Sequence, residues 1–332
     1  MFKFLLLCLK FGRKPDMMNG EKIDLVLNPW LLSFDCSVTG NSNELKNIKS
    51  PLGLCKCCDD PGRPLMAKYD FKKMKKEKHS YFSDHPGLFR YAPVLPVAPF
   101  SSDFACDVGC TKIYLNEKLS DDLGVEVTWK YEASNPSGSF KDRGLAIGVA
   151  LGVALGAQRF CLPTQGNAGI AAALFSARLG LKPALIYMPE DHRGSRYHIA
   201  AQSFGGQVRF YGKNIKAAGE KMRQDLVQEL ADGTYVDLST FFEPGRLEGK
   251  KTLGYEIVDH FGVDHLPDVI IYPTGGGTGL VGIWKAIEEL RELEVIKKDT
   301  KVPRLVSVQS DRCAPIVQAW KRQDTFVTPI VQ

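Results

Sequence analysis

Beyond about residue 125, apolar and polar positions follow two alternating periods. Val125, Val127, Trp129 and Tyr131 alternate with polar residues, which is the pattern of a half-buried strand. Short apolar runs that indicate buried strands then alternate with longer segments that indicate helices. The later strands are predicted at 159–162, 184–188, 208–211, 269–272 and 304–308. The helices are predicted at 145–155, 170–179, 215–230 and 280–290.

The alternation of strands and helices predicts an α/β fold, with two lobes of largely parallel sheet and flanking helices. A chain of 332 residues is longer than one typical domain, which agrees with two lobes. Residues 1–85 lack a sustained period and are predicted to form an irregular N-terminal extension. In parallel sheets ligands bind where strands lead into helices, so we expect the functional residues in those loops.

The composition is that of a globular protein and excludes several classes of function. Hydrophobic residues make up 44% and charged residues 24%, with a net charge of only +5. The lysine-rich stretch 72–78 lacks the arginine and aromatic pattern of a nucleic-acid site, so we expect no nucleic-acid partner. The apolar stretch 4–9 is too short to cross a membrane. The nine scattered cysteines favour a reducing compartment, and we predict a cytoplasmic protein without a membrane partner.

Lys141 lies in the first strand-to-helix loop, at or just inside the start of a helix. Exposed backbone N–H groups make a helix start partly positive, so a lysine there is disfavoured as a cation. The neighbouring Arg143 and any burial are expected to push the amine further towards its neutral, nucleophilic form. Taken alone, the same position also fits an ordinary surface lysine.

The second loop, residues 164–169, follows a predicted buried strand and is rich in small polar residues. Its backbone N–H groups and the Thr164 hydroxyl are suited to an anion such as a carboxylate. The Asn167 amide can both donate and accept hydrogen bonds. On its own, this loop fits an ordinary helix entry equally well.

The third loop, residues 275–279, places three consecutive glycines between a predicted strand and a predicted helix. Glycine lets several backbone N–H groups approach one anion, which favours a phosphate site. Leu280 stands where the dinucleotide fingerprint needs a third glycine or alanine, and no Gly-Lys-Ser/Thr motif follows. The loop is therefore predicted to bind a phosphate that belongs to neither a dinucleotide nor a nucleoside triphosphate.

Together the loops offer an amine nucleophile, an amide beside an anion-binding loop, and a phosphate cradle on one side of a sheet. Pyridoxal 5'-phosphate (PLP) carries an aldehyde, a phenolic oxygen and a phosphate, which match these three features. The sequence therefore predicts a PLP enzyme in which Lys141 holds the cofactor as a Schiff base.

The same segments resemble the motifs of a known family. Residues 135–144 are similar to the lysine motif of fold-type II PLP enzymes, the tryptophan synthase beta superfamily, and most closely to that of threonine synthases. Residues 164–169 look like the asparagine loop of this family, and residues 272–280 look like its phosphate loop. Flanking matches extend the resemblance over roughly residues 85–320, and they lie at 87–91, 95–97, 246–252 and 309–316.

The resemblance implies a role for each residue of these loops. Lys141 would bind the cofactor and shuttle protons, and Phe140 would pack beside the cofactor ring. Asn167 would hydrogen-bond the 3′-oxygen of the ring. The substrate carboxylate would be received by Thr164, Gln165, Gly166 and Ala168. The cofactor phosphate would be bound by Gly275, Gly276, Gly277 and Thr278.

The predicted division of the chain has three parts. Residues 1–85 form the extension. Residues 86–145 and 235–332 form a larger lobe that binds the cofactor phosphate. Residues 146–234 form a smaller, mobile lobe that contains the asparagine loop.

The resemblance implies a lyase that converts O-phosphohomoserine and water into threonine and phosphate. It also implies a phosphorylated small-molecule amino-acid substrate and a monomer or homodimer. Cysteate synthase and threonine or serine dehydratase, which share the fold, are alternatives. Gln165 stands where the family usually has a small residue, which alters the substrate end of the site.

The end of the chain adds a further alternative. The family continues into a C-terminal segment that faces the pyridine nitrogen of the cofactor, whereas this chain ends at Gln332. We therefore expect either a fragment or a site without that group, and a non-catalytic PLP-binding protein remains open. A nicotinamide-dependent oxidoreductase is disfavoured, because the dinucleotide fingerprint fails.

Cys55, Cys57 and Cys58 resemble the remnant of a zinc ribbon found in some relatives. A closed structural zinc site needs four ligands, and a second nearby Cys-x-x-Cys pair is missing from the sequence. The sequence offers four other candidate ligands, which are Cys106, Cys110, His79 and His85. We therefore predict reduced, unliganded thiols and no bound metal.

Overall fold

The structure, a computed structural model, describes residues 25–48, 52–59, 62–100 and 103–328. Its strands are β1 (Leu31–Cys36), β2 (Ser42–Glu44), β3 (Leu65–Tyr69), β4 (Ile113–Leu115), β5 (Thr128–Lys130), β6 (Arg159–Pro163), β7 (Leu185–Met188), β8 (Gln207–Phe210), β9 (Tyr235–Asp237), β10 (Val269–Pro273) and β11 (Arg304–Val308). Its α-helices are α1 (Phe71–Lys76), α2 (Glu117–Leu123), α3 (Lys141–Ala154), α4 (Asn167–Arg178), α5 (Arg196–Ser203), α6 (Ile215–Asp225), α7 (Val227–Ala231), α8 (Gly245–Phe261), α9 (Thr278–Glu292) and α10 (Pro315–Arg322).

A four-stranded sheet lies at the centre of residues 159–237. Its strands run in the order β8-β7-β6-β9, and every neighbouring pair is parallel. All four residues of β7 are buried, so both faces of this central strand are covered. Helix α6 packs against β6 and β7, and α4 packs against β6. The predicted α/β fold with largely parallel sheet is confirmed.

Three packed helices position the second parallel pair, β10 and β11. Helix α3 packs against α8, α8 packs against α9, and α9 adjoins β11. Helix α8 is buried from Gly245 to Val258. At Gly249 it approaches α3 so closely that a Cβ atom would lie 1.9 Å from the backbone oxygen of Arg143. This contact fixes the start of α3 against α8.

The N-terminal extension contains a regular sheet, which differs from the irregular structure that the sequence predicts. Strand β1 pairs in antiparallel fashion with β2 on one side and with β3 on the other. Phe34, Leu65 and Ala67 of this sheet are buried in the same core as α3 and α8. The strands have three to six residues and are separated by loops, so no sustained period marks them in the sequence.

The strand predicted at 125–131 is shorter than expected, and its apolar side faces solvent. Only Thr128–Lys130 forms a strand, β5, which pairs in antiparallel register with β4. The side chains on the exposed face are Val125, Trp129 and Tyr131. Lys130 instead reaches inward to Glu256, with 2.6 Å between its amine and the carboxylate. A buried ion pair therefore decides the orientation of this strand against its apolar pattern.

The helices are of the predicted type, but several boundaries differ. Helix α3 begins at Lys141 instead of 145, and α4 begins at Asn167 instead of 170, so both starts place a predicted site residue in the first turn. The helix predicted at 215–230 is divided at Leu226 into α6 and α7. Throughout the described ranges, no helix combines the length and the apolar character that crossing a membrane requires.

Candidate active site

Lys141 is the first residue of α3, as the sequence predicts. The preceding Gly138 has a φ of +82°, a left-handed value that glycine adopts without steric cost, and it turns the chain into the helix. The Lys141 amine lies 3.9 Å from the centre of the Phe140 ring, and the side chain is half-buried. The amine therefore lies over an aromatic face at the edge of the core.

The environment of Lys141 favours its neutral form. Burial, reinforced by the positive charge of Arg246, lowers the pKa of the Lys141 amine from 10.5 to about 8. The expectation that Arg143 would exert this effect is wrong, because the Arg143 guanidinium is paired with carboxylates. The cation that acts on Lys141 comes from α8, far along the chain.

Arg143 is fully buried and anchors the lysine loop to α8. Its Nε donates to Glu132 at 2.7 Å, and its two terminal nitrogens donate to Glu256 at 2.5 and 2.8 Å. Although burial opposes ionisation, Arg143 and Lys130 together lower the pKa of Glu256 to about 2. The ion pairs hold the backbone directly after Lys141 in a fixed position.

The polar residues before Lys141 stabilise the loop itself. The backbone N–H of Ser137 donates to the Asp142 carboxylate at 2.7 Å, and the Ser137 hydroxyl donates to the other carboxylate oxygen. Burial raises the pKa of Asp142 to about 6, in spite of these hydrogen bonds. The Asn135 side chain accepts from the backbone N–H of Gly109 at 2.9 Å. These hydrogen bonds therefore tie the lysine loop to its surroundings.

The asparagine loop connects β6 to α4, and Asn167 is the first residue of that helix. Thr164 is buried, and its hydroxyl accepts from the Gly166 backbone N–H at 3.1 Å, so it shapes the loop. A Cβ atom at Gly169 would lie 2.8 Å from the Thr164 methyl carbon, which explains the small residue there. Asn167 is half-buried, Gln165 is exposed and Ala168 is buried.

The glycine loop leads from β10 into α9, and Thr278 is the first residue of the helix. Gly277 has a φ of +89°, which explains the need for glycine at that turn. A Cβ atom at Gly276 would lie 2.6 Å from the Thr240 methyl carbon, whereas no atom lies within 4 Å of the Cβ position at Gly275. The backbone at Gly275, shortly before α9, therefore adjoins open space, and the N–H groups of a helix start suit an anion.

The lysine loop and the glycine loop meet at Phe140. The Phe140 ring packs edge-to-face on Tyr272, the strand residue before the glycine loop, with 5.8 Å between ring centres. No hydrogen bond between described residues joins the asparagine loop to either of them, and it is linked to the lysine loop through the packing of α4 against α3. The structure thus brings Lys141, Phe140 and Thr278 together. The hydrogen bond of Asn167 to the cofactor ring stays a prediction.

Two basic residues that the sequence reasoning did not assign complete this region. Lys250 of α8 donates to the Thr278 hydroxyl at 2.5 Å, and its amine lies 5.1 Å from the centre of the Phe140 ring. Arg246, one turn earlier, is buried and donates to the backbone oxygen of Leu238. Burial, together with the charges of Arg246 and Lys141, holds the pKa of Lys250 well below its ordinary value. Both lie in the motif at 246–252, which the sequence marked only as a flanking match.

An acidic side chain also lies among these basic residues. Glu243 accepts from the backbone N–H of Arg246 at 2.8 Å. Burial raises the pKa of Glu243 to about 7, so it is only partly ionised at neutral pH. A phosphate bound next to this cluster of basic groups would favour the protonated forms of Arg246 and Lys250.

Comparisons with known proteins agree with this geometry. A family model described as pyridoxal-phosphate dependent enzyme matches residues 107–331. The threonine synthase of Methanocaldococcus jannaschii is 31% identical over 278 residues, which cover 83% of this chain and 65% of that protein. The threonine synthase of Methanosarcina acetivorans is 29% identical over 262 residues, which cover 79% of this chain and 62% of that protein. The chain therefore spans slightly less than two thirds of the length of these relatives.

Solved structures share the fold at lower sequence identity. Maize serine racemase has a TM-score of 0.55 and 18% identity, with 67% of this chain and 62% of that chain covered. A fungal L-serine ammonia-lyase from Rhizomucor miehei has a TM-score of 0.55 and 23% identity, with 65% and 64% covered. These likenesses define the class as an α/β protein of the fold-type II architecture.

The chain belongs to the family of pyridoxal-phosphate-dependent enzymes. The predicted family and the predicted cofactor are thereby confirmed. The roles of single site residues towards cofactor and substrate stay predictions.

The residues around the glycine loop fit this cofactor. The Nε atom of Arg246 and the hydroxyl of Tyr272 are buried without a hydrogen-bond partner in the described part of the chain. Such groups are rare unless a ligand or water completes them. The Tyr272 hydroxyl adjoins the loop, since a Cβ atom at Gly279 would lie 1.9 Å from it. A ligand at the loop would supply the partner that this hydroxyl lacks, and Lys141 would supply the amine for the aldehyde.

Proposed function

We propose that the protein is a PLP-dependent lyase that converts O-phosphohomoserine and water into threonine and phosphate. The observation that carries this proposal is the half-buried Lys141 amine, with its pKa lowered to about 8. It lies over the Phe140 ring, which also adjoins the amine of Lys250, the hydrogen-bond partner of Thr278 at the glycine loop. Sequence identity of about 30% to threonine synthases supports the choice of substrate.

Lys141 would attach the cofactor and afterwards carry protons. An amine with a pKa near 8 both accepts and releases a proton near neutral pH, as a general acid/base requires. PLP, when bound, supplies an electron sink that stabilises negative charge on the carbon atoms next to the substrate amino group. Phe140 would pack beside the cofactor ring, and Asn167 would hydrogen-bond the ring oxygen.

The remaining loops would bind the anionic groups. Gly275, Gly276, Gly277 and Thr278 would hold the cofactor phosphate through backbone N–H groups and a hydroxyl. The start of α4, with Thr164, Gln165, Gly166 and Ala168, would receive the substrate carboxylate. Arg246 and Lys250 are basic groups that interact electrostatically with Lys141, and basic groups near the amine favour a substrate that carries a phosphate.

The direct test is an assay of the purified full chain reconstituted with PLP. Incubation with O-phosphohomoserine is expected to release equal amounts of phosphate and threonine. The Lys141→Ala variant is expected to lose at least about 10³-fold in rate and to lose the visible absorption of the bound cofactor, because the amine that forms the covalent link is removed. Lys118→Ala, which changes an exposed lysine of α2, serves as the matched control.

Other products would redirect the proposal. Formation of 2-oxobutyrate from threonine would identify a dehydratase, and phosphate release from O-phosphoserine with sulfite would identify a cysteate synthase. Visible absorption that is fixed by borohydride at Lys141, without turnover of any of these amino acids, would identify a non-catalytic PLP-binding protein.

We also propose a cytoplasmic location and a monomer or homodimer. No disulfide joins the cysteines of the described chain, which supports a reducing compartment. Light scattering of the purified protein measures the oligomeric state.

A further inference from the structure

Four cysteine side chains of the N-terminal extension converge on one point. Cys36 ends β1, and Cys55, Cys57 and Cys58 lie in the loop before β3. The four sulfur atoms all lie within 4.8 Å of one another. We propose that they bind a structural Zn²⁺ ion, independently of the PLP site.

The distances between the sulfurs match a tetrahedral metal site. A zinc ion bound to four thiolates at about 2.3 Å places neighbouring sulfurs about 3.8 Å apart. The sulfur of Cys58 lies 3.6 Å from that of Cys36 and 4.0 Å from that of Cys57. A disulfide needs about 2.05 Å and joins sulfurs only in pairs, so it does not account for four mutually close sulfurs.

The surroundings of the sulfurs suit thiolates that hold a cation. The backbone N–H of Thr39 donates to the Cys36 sulfur at 3.5 Å, and that of Arg63 donates to the Cys55 sulfur at 3.2 Å. The Thr39 hydroxyl lies 3.3 Å from the Cys57 sulfur. Hydrogen bonds of this kind orient metal ligands and stabilise their negative charge. Four protein ligands fill a tetrahedral zinc, so the site would be structural and would leave no open position for a substrate.

Gly62 is essential to the second half of the site. Its φ is +88°, and a Cβ atom there would lie 2.2 Å from the backbone oxygen of Cys55. Only glycine therefore allows the turn at residue 62 that brings the Arg63 backbone N–H to the Cys55 sulfur.

The proposed site joins the extension to the body of the enzyme. Cys36 and Cys55 are buried in the core that also contains residues of α3 and α8. Strand β3, the partner of β1, ends at Tyr69, whose hydroxyl donates to Glu248 of α8 at 2.8 Å. Residues 52–59 form no regular secondary structure, and zinc would stabilise them instead. Zinc would thereby also stabilise the sheet that packs against α8, the helix that carries Arg246 and Lys250.

The prediction of unliganded thiols without a metal rests on only three clustered cysteines, whereas the structure places four cysteine sulfurs together. The fourth sulfur belongs to Cys36, which lies well upstream in the chain. Pairing of β1 with β3 places Cys36 opposite Leu65 and so brings it to the loop before β3. The four other candidates, Cys106, Cys110, His79 and His85, do not belong to the cluster.

Metal analysis of the full chain, purified without chelators from zinc-supplemented cells, tests the proposal. We expect about one zinc ion per chain. Cys36→Ser and Cys57→Ser are each expected to reduce the zinc content at least about tenfold, because three thiolates bind zinc much more weakly. Cys110→Ser and Cys313→Ser, which change free cysteines outside the cluster, are expected to retain full zinc content.

A second measurement remains informative if the cysteine variants fail to fold. Exchange of zinc for Co²⁺ in the unmodified protein is expected to give the intense absorption of tetrahedral cobalt with thiolate ligands. Protein that contains no zinc and gives no such spectrum would overturn the proposal, as would a mass showing two disulfides among the four cysteines. Unchanged zinc content in Cys36→Ser would overturn it too. None of these readouts depends on PLP or on turnover, so they are independent of the proposed lyase activity.

Discussion

At the scale of single residues, Lys141 depends on neighbours that are remote in sequence. Its position at a helix start is a local property, but its lowered pKa arises from burial and from Arg246 on α8. Arg143, only two residues away, points elsewhere because Glu132 and Glu256 bind its guanidinium. The chemistry of one amine is therefore set by which cation the fold leaves near it.

The pH dependence of cofactor attachment follows from the lowered pKa of Lys141. The amine reacts only when neutral, so the rate at which PLP binds covalently should rise with pH and level off above about 8. An ordinary lysine would keep gaining rate up to about pH 10.4. Stopped-flow absorption of PLP added to cofactor-free protein measures this profile.

Two variants check the cause of that profile. Arg246→Gln removes a positive charge that opposes protonation, so the midpoint should move to higher pH. Arg209→Gln, which changes an exposed arginine, should leave it unchanged. A midpoint near pH 10 in the unmodified protein would contradict the assignment of Lys141 as the activated amine.

Gly275 offers a separate test of the phosphate cradle. A methyl group there meets no protein atom within 4 Å, so Gly275→Ala should leave the stability of the cofactor-free protein nearly unchanged. It should weaken PLP binding by about tenfold or more, because the methyl group occupies space beside the N–H groups. Gly276→Ala, which would approach Thr240, should lower stability even without cofactor. Equal PLP affinity of Gly275→Ala and the unmodified protein, measured by fluorescence titration, would place the phosphate elsewhere.

At the scale of elements, a buried network of charges joins β3, α8 and α9. The amine of Lys251 lies 2.6 Å from Glu248 and 2.9 Å from Glu289. Lys285 lies 3.1 Å from Glu248 and also pairs with Glu289. With Tyr69 donating to Glu248, two lysines balance two glutamates in the core. The network fixes the register of α8 against α9, the helix that begins at the glycine loop.

Removing one member of this network should be strongly destabilising. Glu248→Ala leaves two buried lysines without a full set of carboxylates, and it should lower the free energy of unfolding by about 3–5 kcal/mol. Asp268→Ala removes an exposed pair with Lys301 and should lower the stability far less, because water screens the attraction between exposed charges. Urea unfolding followed by circular dichroism measures both. A loss below 1 kcal/mol for Glu248→Ala would show that the network does not support the helix packing.

At the scale of the whole molecule, cofactor binding should be linked to stability. PLP at about 100 times its dissociation constant should add about 2.7 kcal/mol to the free energy of unfolding. Pyridoxine, which lacks the phosphate and the aldehyde, should add much less. In Lys141→Ala the gain from PLP should shrink, because only the non-covalent contacts remain. Urea unfolding midpoints at several PLP concentrations give this comparison, and a gain that is the same for PLP and pyridoxine would exclude the proposed site.

The amino-acid sequence by itself determined the alternation of strands and helices, the family motifs and the position of Lys141 at a helix start. These features depend on the hydrophobic period and on short motifs, and both are set by residues that are close together in the chain. The sequence also indicated the glycine loop, because three consecutive glycines let the backbone approach a ligand closely.

Only the tertiary structure decided which charges and thiols become neighbours. In the sequence, Arg246 and Lys250 resemble ordinary charged residues of a helix. They become candidate site residues because α8 is buried between α3 and α9. Cys36 joins the other three cysteines through strand pairing. Lys130 turns inward because it forms an ion pair with the buried Glu256. Such contacts depend on how distant segments pack, and this packing cannot be predicted from the spacing of residues along the chain.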